Sequence, residues 1–190
     1  MKRIGILGAI GSGKSYISRS FGYPVFDADQ EVSKLYQKDK KIFYKLKKIL
    51  PQYFNQFPIQ KKTVLNAILD ENKNLRKIIK IIHLEVRKKM NIFLKKNKNK
   101  KIVILDIPLL LENKLNKKKD IFVFVQSKRK DILTRLKKRK NFNYKLLVKF
   151  QNIQLSLDYK KKKSQYVIKN DFTKKTVSKY IKNILREINK

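Results

Sequence analysis

The chain contains no cysteine, so disulfides and thiolate metal sites are both excluded. Its one histidine, His83, cannot build a histidine-based metal site by itself. No apolar run reaches the roughly 18 residues that a membrane-spanning helix needs. Acidic residues are scarce: 14 Asp and Glu stand against 50 Lys and Arg, a formal net charge of +36. Met1-Lys2-Arg3 and the apolar stretch to Ile10 superficially resemble a signal peptide. That stretch runs straight into a glycine-rich loop, and no small-residue cleavage site follows. A cytoplasmic protein is the expectation.

Charge of this size creates a field that attracts polyanions. The basic residues are nevertheless spread over the whole chain, and Lys far outnumbers Arg, the residue suited to planar phosphate and base recognition. Lys, Ile and Asn together make up about two-fifths of the residues. Their codons are AT-rich, and drift in an AT-rich genome raises all three together on tolerant surfaces. Selection for a nucleic-acid footprint would not enrich Ile and Asn. Nucleic-acid binding is therefore expected to be at most non-specific. The length of 190 residues fits one domain with a small inserted subdomain, and 42% hydrophobic residues suffice for a core. Nothing in the sequence speaks to oligomeric state.

What is present is most informative at Gly8-Ala9-Ile10-Gly11-Ser12-Gly13-Lys14-Ser15. The apolar run Ile4-Gly5-Ile6-Leu7 precedes it, and a helical pattern beginning at Tyr16 follows. This G-x-x-x-x-G-K-S loop lies between a strand and a helix, the setting a phosphate-binding loop requires. Glycines let successive N–H groups turn inward on a phosphate, and the helix N-terminus adds partial positive charge. The candidate ATP ligands are Gly11, Ser12, Gly13, Lys14, Ser15 and Tyr16. Lys14 can reach the β- and γ-phosphates, and the Ser15 hydroxyl can ligate Mg²⁺. The chain is expected to bind a nucleoside triphosphate.

Strand-like runs alternate with helical patterns, which predicts a parallel sheet covered by helices. The candidate strands are Ile4–Leu7, Val25–Phe26, Ile102–Leu105, Ile121–Val125 and Tyr166–Ile168. Leu75, Ile78, Ile79, Ile82 and Val86 draw one apolar helical stripe, and a last helix is expected from Thr173 to Ile188. Two long stretches lack a strand, from about 30 to 99 and from about 128 to 163. In a P-loop fold such excursions commonly carry an acceptor-binding insertion and a mobile lid.

Asn116-Lys117-Lys118-Lys119-Asp120 is one residue too long for a guanine-reading motif and precedes a strand. Asp106, at a strand end, is followed by Ile107-Pro108 and not by the Glu with which many ATPases activate water. Transfer to a bound hydroxyl is then favoured over hydrolysis. Asp27-Ala28-Asp29 closes the second strand, on the sheet edge where ligands lie. Asp29 is equally suited to deprotonate a hydroxyl or to cap a helix starting near Gln30. Asp106 can hold Mg²⁺ through water or support the phosphate loop. Arg135 and Arg139, at i and i+4, would share a helix face from which a lid neutralises the transferring phosphate. A solvated helix is the bland alternative.

In this order and at these separations, the motifs resemble the dephospho-coenzyme A kinase family over most of the chain. The matching segments are the loop Gly8–Ser15, Asp27-Ala28-Asp29, Ile82-His83-Leu84-Glu85-Val86 and Asp106-Ile107-Pro108-Leu109-Leu110-Leu111-Glu112. Arg135, Arg139, Gln154 and Tyr166-Val167-Ile168-Lys169-Asn170 complete the match. The resemblance implies an α/β P-loop NTPase fold with a five-stranded parallel sheet, a helical acceptor-binding insertion and a helical lid. It also implies transfer of the ATP γ-phosphate, with Mg²⁺, to the ribose 3′-hydroxyl of dephospho-coenzyme A. Asp29 would be the base, His83 would contact the acceptor, and Lys14, Arg135 and Arg139 would serve the transferring phosphate. The sequence departs from the family pattern at Ala9, at Leu84 in place of Pro, at Gln60-Lys61 in place of an acid-Arg pair, and at Asp171, where Gly is frequent. Lys61 loses a bidentate anion contact, so weaker acceptor affinity is expected.

Overall fold

A computed structural model describes residues 1–140 and 142–190. Two compact units emerge, one of Met1–Asp27, Asn97–Phe142 and Ile153–Lys190, the other of Ala28–Lys96 and Asn143–Asn152.

The first unit contains the sheet. Its strands are β1 (Lys2–Gly8), β2 (Val25–Asp27), β3 (Ile102–Asp106), β4 (Ile121–Gln126) and β5 (Tyr166–Lys169). They are parallel throughout, in the order β2-β3-β1-β4-β5. All five expected strands form, each running one residue past the end of its apolar run, and β1 also starting two residues earlier, because the backbone ladder continues where side-chain hydrophobicity stops. In β3 every residue is buried, as a parallel sheet covered on both faces demands. The helices here are α1 (Lys14–Ser20), α6 (Arg129–Lys137), α8 (Leu157–Lys162) and α9 (Lys174–Ile188). On one sheet face Ile4, Ile6, Ile104, Val123 and Ile168 pack with Ile17 and Phe21 of α1 and Val177, Ile181, Ile184 and Ile188 of α9. Each such side chain contributes about 1.5–3 kcal/mol on burial. Thr173 precedes α9 as its N-cap, its hydroxyl accepting from Thr176 N–H at 3.3 Å.

A buried polar node links the segment after β3 to α8. The Lys160 ammonium lies 2.7 Å from Glu112 Oε1 and donates to Gln154 Oε1 at 3.1 Å. Glu112 Oε1 also accepts from Leu155 N–H at 3.1 Å. Asp120, in the run rejected above as a guanine reader, turns inward to Arg3 at 2.9 Å. Burial raises its carboxyl above the ordinary carboxylate range, opposed by the Lys117 N–H and the Arg3 charge.

The second unit is helical: α2 (Ala28–Lys38), α3 (Lys40–Ile49), α4 (Lys61–Asp70), α5 (Asn72–Lys96) and α7 (Tyr144–Asn152). The predicted stripe forms on α5: Leu75, Ile78, Ile82 and Val86 are buried, joined by Met90, while Ile79 is only half-buried at the stripe's margin, and the helix packs against α2, α3 and α4. Lys149 of α7 donates to the Ile68 and Leu69 carbonyls at 2.8 and 2.9 Å, satisfying C-terminal acceptors of α4. The segment 128–163 is thus divided, with α7 in the helical unit and α6 and α8 in the sheet unit.

Candidate active site

The phosphate loop leaves β1, the middle strand of the sheet, at the carboxyl edge where the strand order reverses. Ligands of open α/β sheets gather at that position. The loop hands over to α1 at Gly13, which has φ 93° and no side-chain cap on the helix. Helix α1 starts at Lys14, two residues before the Tyr16 read from the pattern, since residues with no apolar signal already hold helical backbone. Ser15 and Tyr16 are exposed in its first turn, whose N–H groups have no intrahelical acceptor.

Two glycines are dictated by close approach as well as by positive φ. A Cβ at Gly11 would stand 2.9 Å from Leu136 Cγ and 3.1 Å from Ile132 Cγ2, both on α6. A Cβ at Gly13 would meet Asn170 Nδ2 at 2.6 Å. That amide donates to the Ser12 carbonyl at 2.8 Å, and the Ser127 hydroxyl donates to the same carbonyl at 3.1 Å. The loop is therefore pinned from β4's end and β5's end. The Lys14 ammonium donates to the Gly8 and Ala9 carbonyls at 3.1 and 2.7 Å, folded across the loop it belongs to.

Two acids meet at the edge of the sheet. Asp27 and Asp106 are register partners at the ends of β2 and β3. Asp106 is buried, and Asp27 accepts from Arg19 of α1 at 3.0 Å. Asp29 is exposed and occupies the second position of α2, inside the first turn. The helix begins at Ala28 and not near Gln30, so Asp29 is not an N-cap. A negative charge in that first turn complements the helix dipole.

Arg135 and Arg139 do not share a helix face. Helix α6 ends at Lys137, and the Arg139 N–H bonds the Leu136 carbonyl at 3.0 Å in a tight i to i+3 turn. That bond replaces the helical one and turns Arg139 off the helix. The Arg135 guanidinium lies 4.4 Å from the centre of the Phe172 ring. In the helical unit His83 is half-buried on α5, its Nε2 buried without a hydrogen-bond partner among the described residues. Burial, and secondarily the Arg87 charge, hold its imidazole below the ordinary histidine pKa. Gln60 and Lys61 open α4, with no side-chain cap from Gln60. Ser127, Phe172 and the Arg19–Asp27 pair were not singled out from sequence. Ser127 was accessible in principle, as a hydroxyl directly after a strand end.

A phosphate loop on the middle strand of a five-stranded parallel sheet, with strand-end carboxylates beside it, defines a P-loop kinase fold. The dephospho-CoA kinase family model matches residues 2–176, so the chain belongs to that family. A dephospho-CoA kinase of Wolbachia pipientis wMel is 31% identical over 191 residues, covering 98% of this chain and 97% of that protein. Among solved structures, TT1252 from Thermus thermophilus superposes with a TM-score of 0.75 at 23% identity, covering 98% of this chain and 97% of its own. The dephospho-CoA kinase of Campylobacter jejuni gives 0.64 at 18% identity over 98% and 97%. These two likenesses establish the fold. No helix among the described residues is long and apolar enough to cross a membrane.

Proposed function

We propose that the chain transfers the γ-phosphoryl group of ATP to the ribose 3′-hydroxyl of dephospho-coenzyme A, giving coenzyme A and ADP. The observation that carries this reading is a structurally complete phosphate loop, ending in Lys14-Ser15, inside a chain whose family match runs from residue 2 to 176.

The residues then divide the work. Glycine-conferred curvature and the uncapped α1 terminus present N–H groups to phosphate oxygens. Lys14 exchanges the Gly8 and Ala9 carbonyls for the β- and γ-phosphates. The Ser15 hydroxyl would hold Mg²⁺ directly and the Asp106 carboxylate through water. Mg²⁺ commonly keeps several waters and binds through one or two protein oxygens plus substrate phosphates, which would suit so small a protein donor set. When bound, the ion neutralises charge on the phosphates. Arg135 offers a guanidinium to the charge that spreads over the transferring group, and Arg139 offers another. Asp29 takes the proton of the attacking hydroxyl. Asp27 lies 3.0 Å from the Arg19 guanidinium. His83 of α5 contacts the acceptor. Charge positioning supplies most of the acceleration, because a loose phosphoryl transition state asks little covalent chemistry of the protein.

A panel of acceptors assayed for ADP release tests the reading. Turnover with dephospho-coenzyme A, and little with nucleosides or nucleotides, is the expected result. Hydrolysis independent of any small acceptor, or stimulated by DNA or RNA, would overturn it.

A further inference from the structure

The helical unit carries a cleft that no residue of the proposed reaction lines. It has a volume of about 670 Å³ and lies where α2, α3 and α5 pack together. Five exposed lysines line it: Lys34 and Lys38 of α2, Lys40 and Lys41 of α3, and Lys89 of α5. The volume is that of a small-molecule site. Two carboxylates lie among the lysines, and both are engaged. Glu31 pairs with Lys34 at 2.6 Å, and Asp39 accepts from the Lys41 and Ile42 N–H groups at 2.9 and 3.1 Å as the N-cap of α3. Lys38, Lys40, Lys41 and Lys89 have no carboxylate partner among the described residues. The cleft also faces away from the acceptor residues carried by the same helices. At about 100° per residue, Lys38 lies on the side of α2 opposite Asp29, and Lys89 is turned about 120° from His83 and stands about 9 Å further along α5.

In a chain with 50 Lys and Arg, a lone surface lysine means little. These differ by convergence: three helices, with α5 remote in sequence from the other two, bring their cations to one concave surface. A cleft lined by one sign of charge focuses the field and concentrates the counter-ion. An ammonium is a compact point charge with three rotatable donors, which suits phosphate oxygens without demanding a fixed plane. The lining residues include no arginine and no aromatic ring, so a nucleobase finds neither a guanidinium fork nor a stacking face. The first N–H groups of α3 are spent on Asp39, which leaves the ammonium groups as the donors. A single phosphate would neutralise fewer of them than a chain of three.

We propose that this cleft binds a linear chain of linked phosphates, free or as the tail of a nucleotide, at a site separate from the phosphate loop. The proposal does not depend on which acceptor the enzyme uses. The test is an NMR titration of the ¹⁵N-labelled full chain with inorganic tripolyphosphate, and in parallel with ATP, at physiological salt. Both are run in a Lys14→Ala background, so that binding at the phosphate loop is weakened and its own amides report what remains. Saturable shifts at the Lys38, Lys40, Lys41 and Lys89 amides are expected. K38Q/K41Q/K89Q should weaken tripolyphosphate at those amides about tenfold or more, because three charge-assisted contacts are lost. K175Q/K179Q/K182Q, which removes equal charge from the exposed convex face of α9, should change it less than about twofold. Dispersed amide spectra show that each variant is folded. Tripolyphosphate, with one more ionisable oxygen and no base to leave ungripped, should bind more tightly than ATP, which marks a free phosphate chain as the occupant. Tighter ATP would overturn recognition through phosphates alone. Equal weakening by the two triple variants, or no saturable shift in the cleft, would overturn the site and leave only diffuse charge. A short single-stranded DNA that moves the same amides at lower concentration than tripolyphosphate would overturn it in favour of nucleic acid.

Discussion

Gly13→Ala should break the phosphate loop while sparing the sheet. The backbone at position 13 has φ 93°, and the new Cβ would sit 2.6 Å from the Asn170 amide nitrogen. Left-handed backbone costs an Ala roughly 1–2 kcal/mol. The Cβ also displaces Asn170 from the Ser12 carbonyl, now 2.8 Å away, and a lost hydrogen bond of this kind is worth about 0.5–1.5 kcal/mol. The sum is roughly 1.5–3.5 kcal/mol, and ATP binding, which needs the loop in this shape, falls by about 10- to 400-fold. Global stability should fall by less, since the loop can relax away from its glycine geometry when no nucleotide demands it. Titration with a fluorescent ATP analogue and a thermal melt, run on the same variant, separate the two. A second variant sharpens the argument: Asn170→Ala in the Gly13→Ala background removes the atom that is struck, so the combined loss should be smaller than the sum of the single losses. Nucleotide affinity within about twofold of wild type would refute the reasoning, because even the lower backbone penalty exceeds that change.

Removing one partner of the Lys160–Glu112 pair, with Lys160 almost fully buried, should cost about 3–5 kcal/mol, read as a fall of roughly 6–20 °C in Tm for Lys160→Met; a shift under about 2 °C would show the pair to be unimportant. Asp29→Asn should slow single-turnover phosphoryl transfer about 10²- to 10³-fold while ATP affinity holds, since a loose transition state keeps the hydroxyl proton until late. An unchanged rate would move the base to Asp27 or to no residue. The His83 imidazole should titrate below the ordinary histidine value in NMR, and Arg87→Gln should return it only partway, because burial is the larger cause. With the folded value depressed, stability contributed by neutral His83 is present above the ordinary histidine pKa and lost as pH falls through the lowered one.

The sheet was legible because its strands are short apolar runs bounded by polar segments, and parallel strands buried on both faces announce themselves that way. The stripe on α5 and the phosphate loop were legible for equally local reasons: a 3.6-residue period, and a motif whose parts are adjacent in sequence. What escaped was set by contacts across the chain. Asn170 reaches Ser12 over 158 residues, and nothing near either one reports the bond. Arg139 kept helical spacing in sequence yet left α6, since the tight turn back to Leu136 ended the helix first. Asp29 fell inside a helix turn because α2 starts directly at the strand end. Phe172 carries no local sign of its left-handed backbone, which flanking side-chain hydrogen bonds impose.

The most direct test is to incubate the purified chain with Mg²⁺, ATP and dephospho-coenzyme A and to locate the added phosphate by mass spectrometry and ³¹P NMR. The product should be coenzyme A bearing the new phosphate on the ribose 3′-oxygen, formed in equal amount with ADP. ADP without coenzyme A, or phosphate on any other atom of the acceptor, would contradict the assignment.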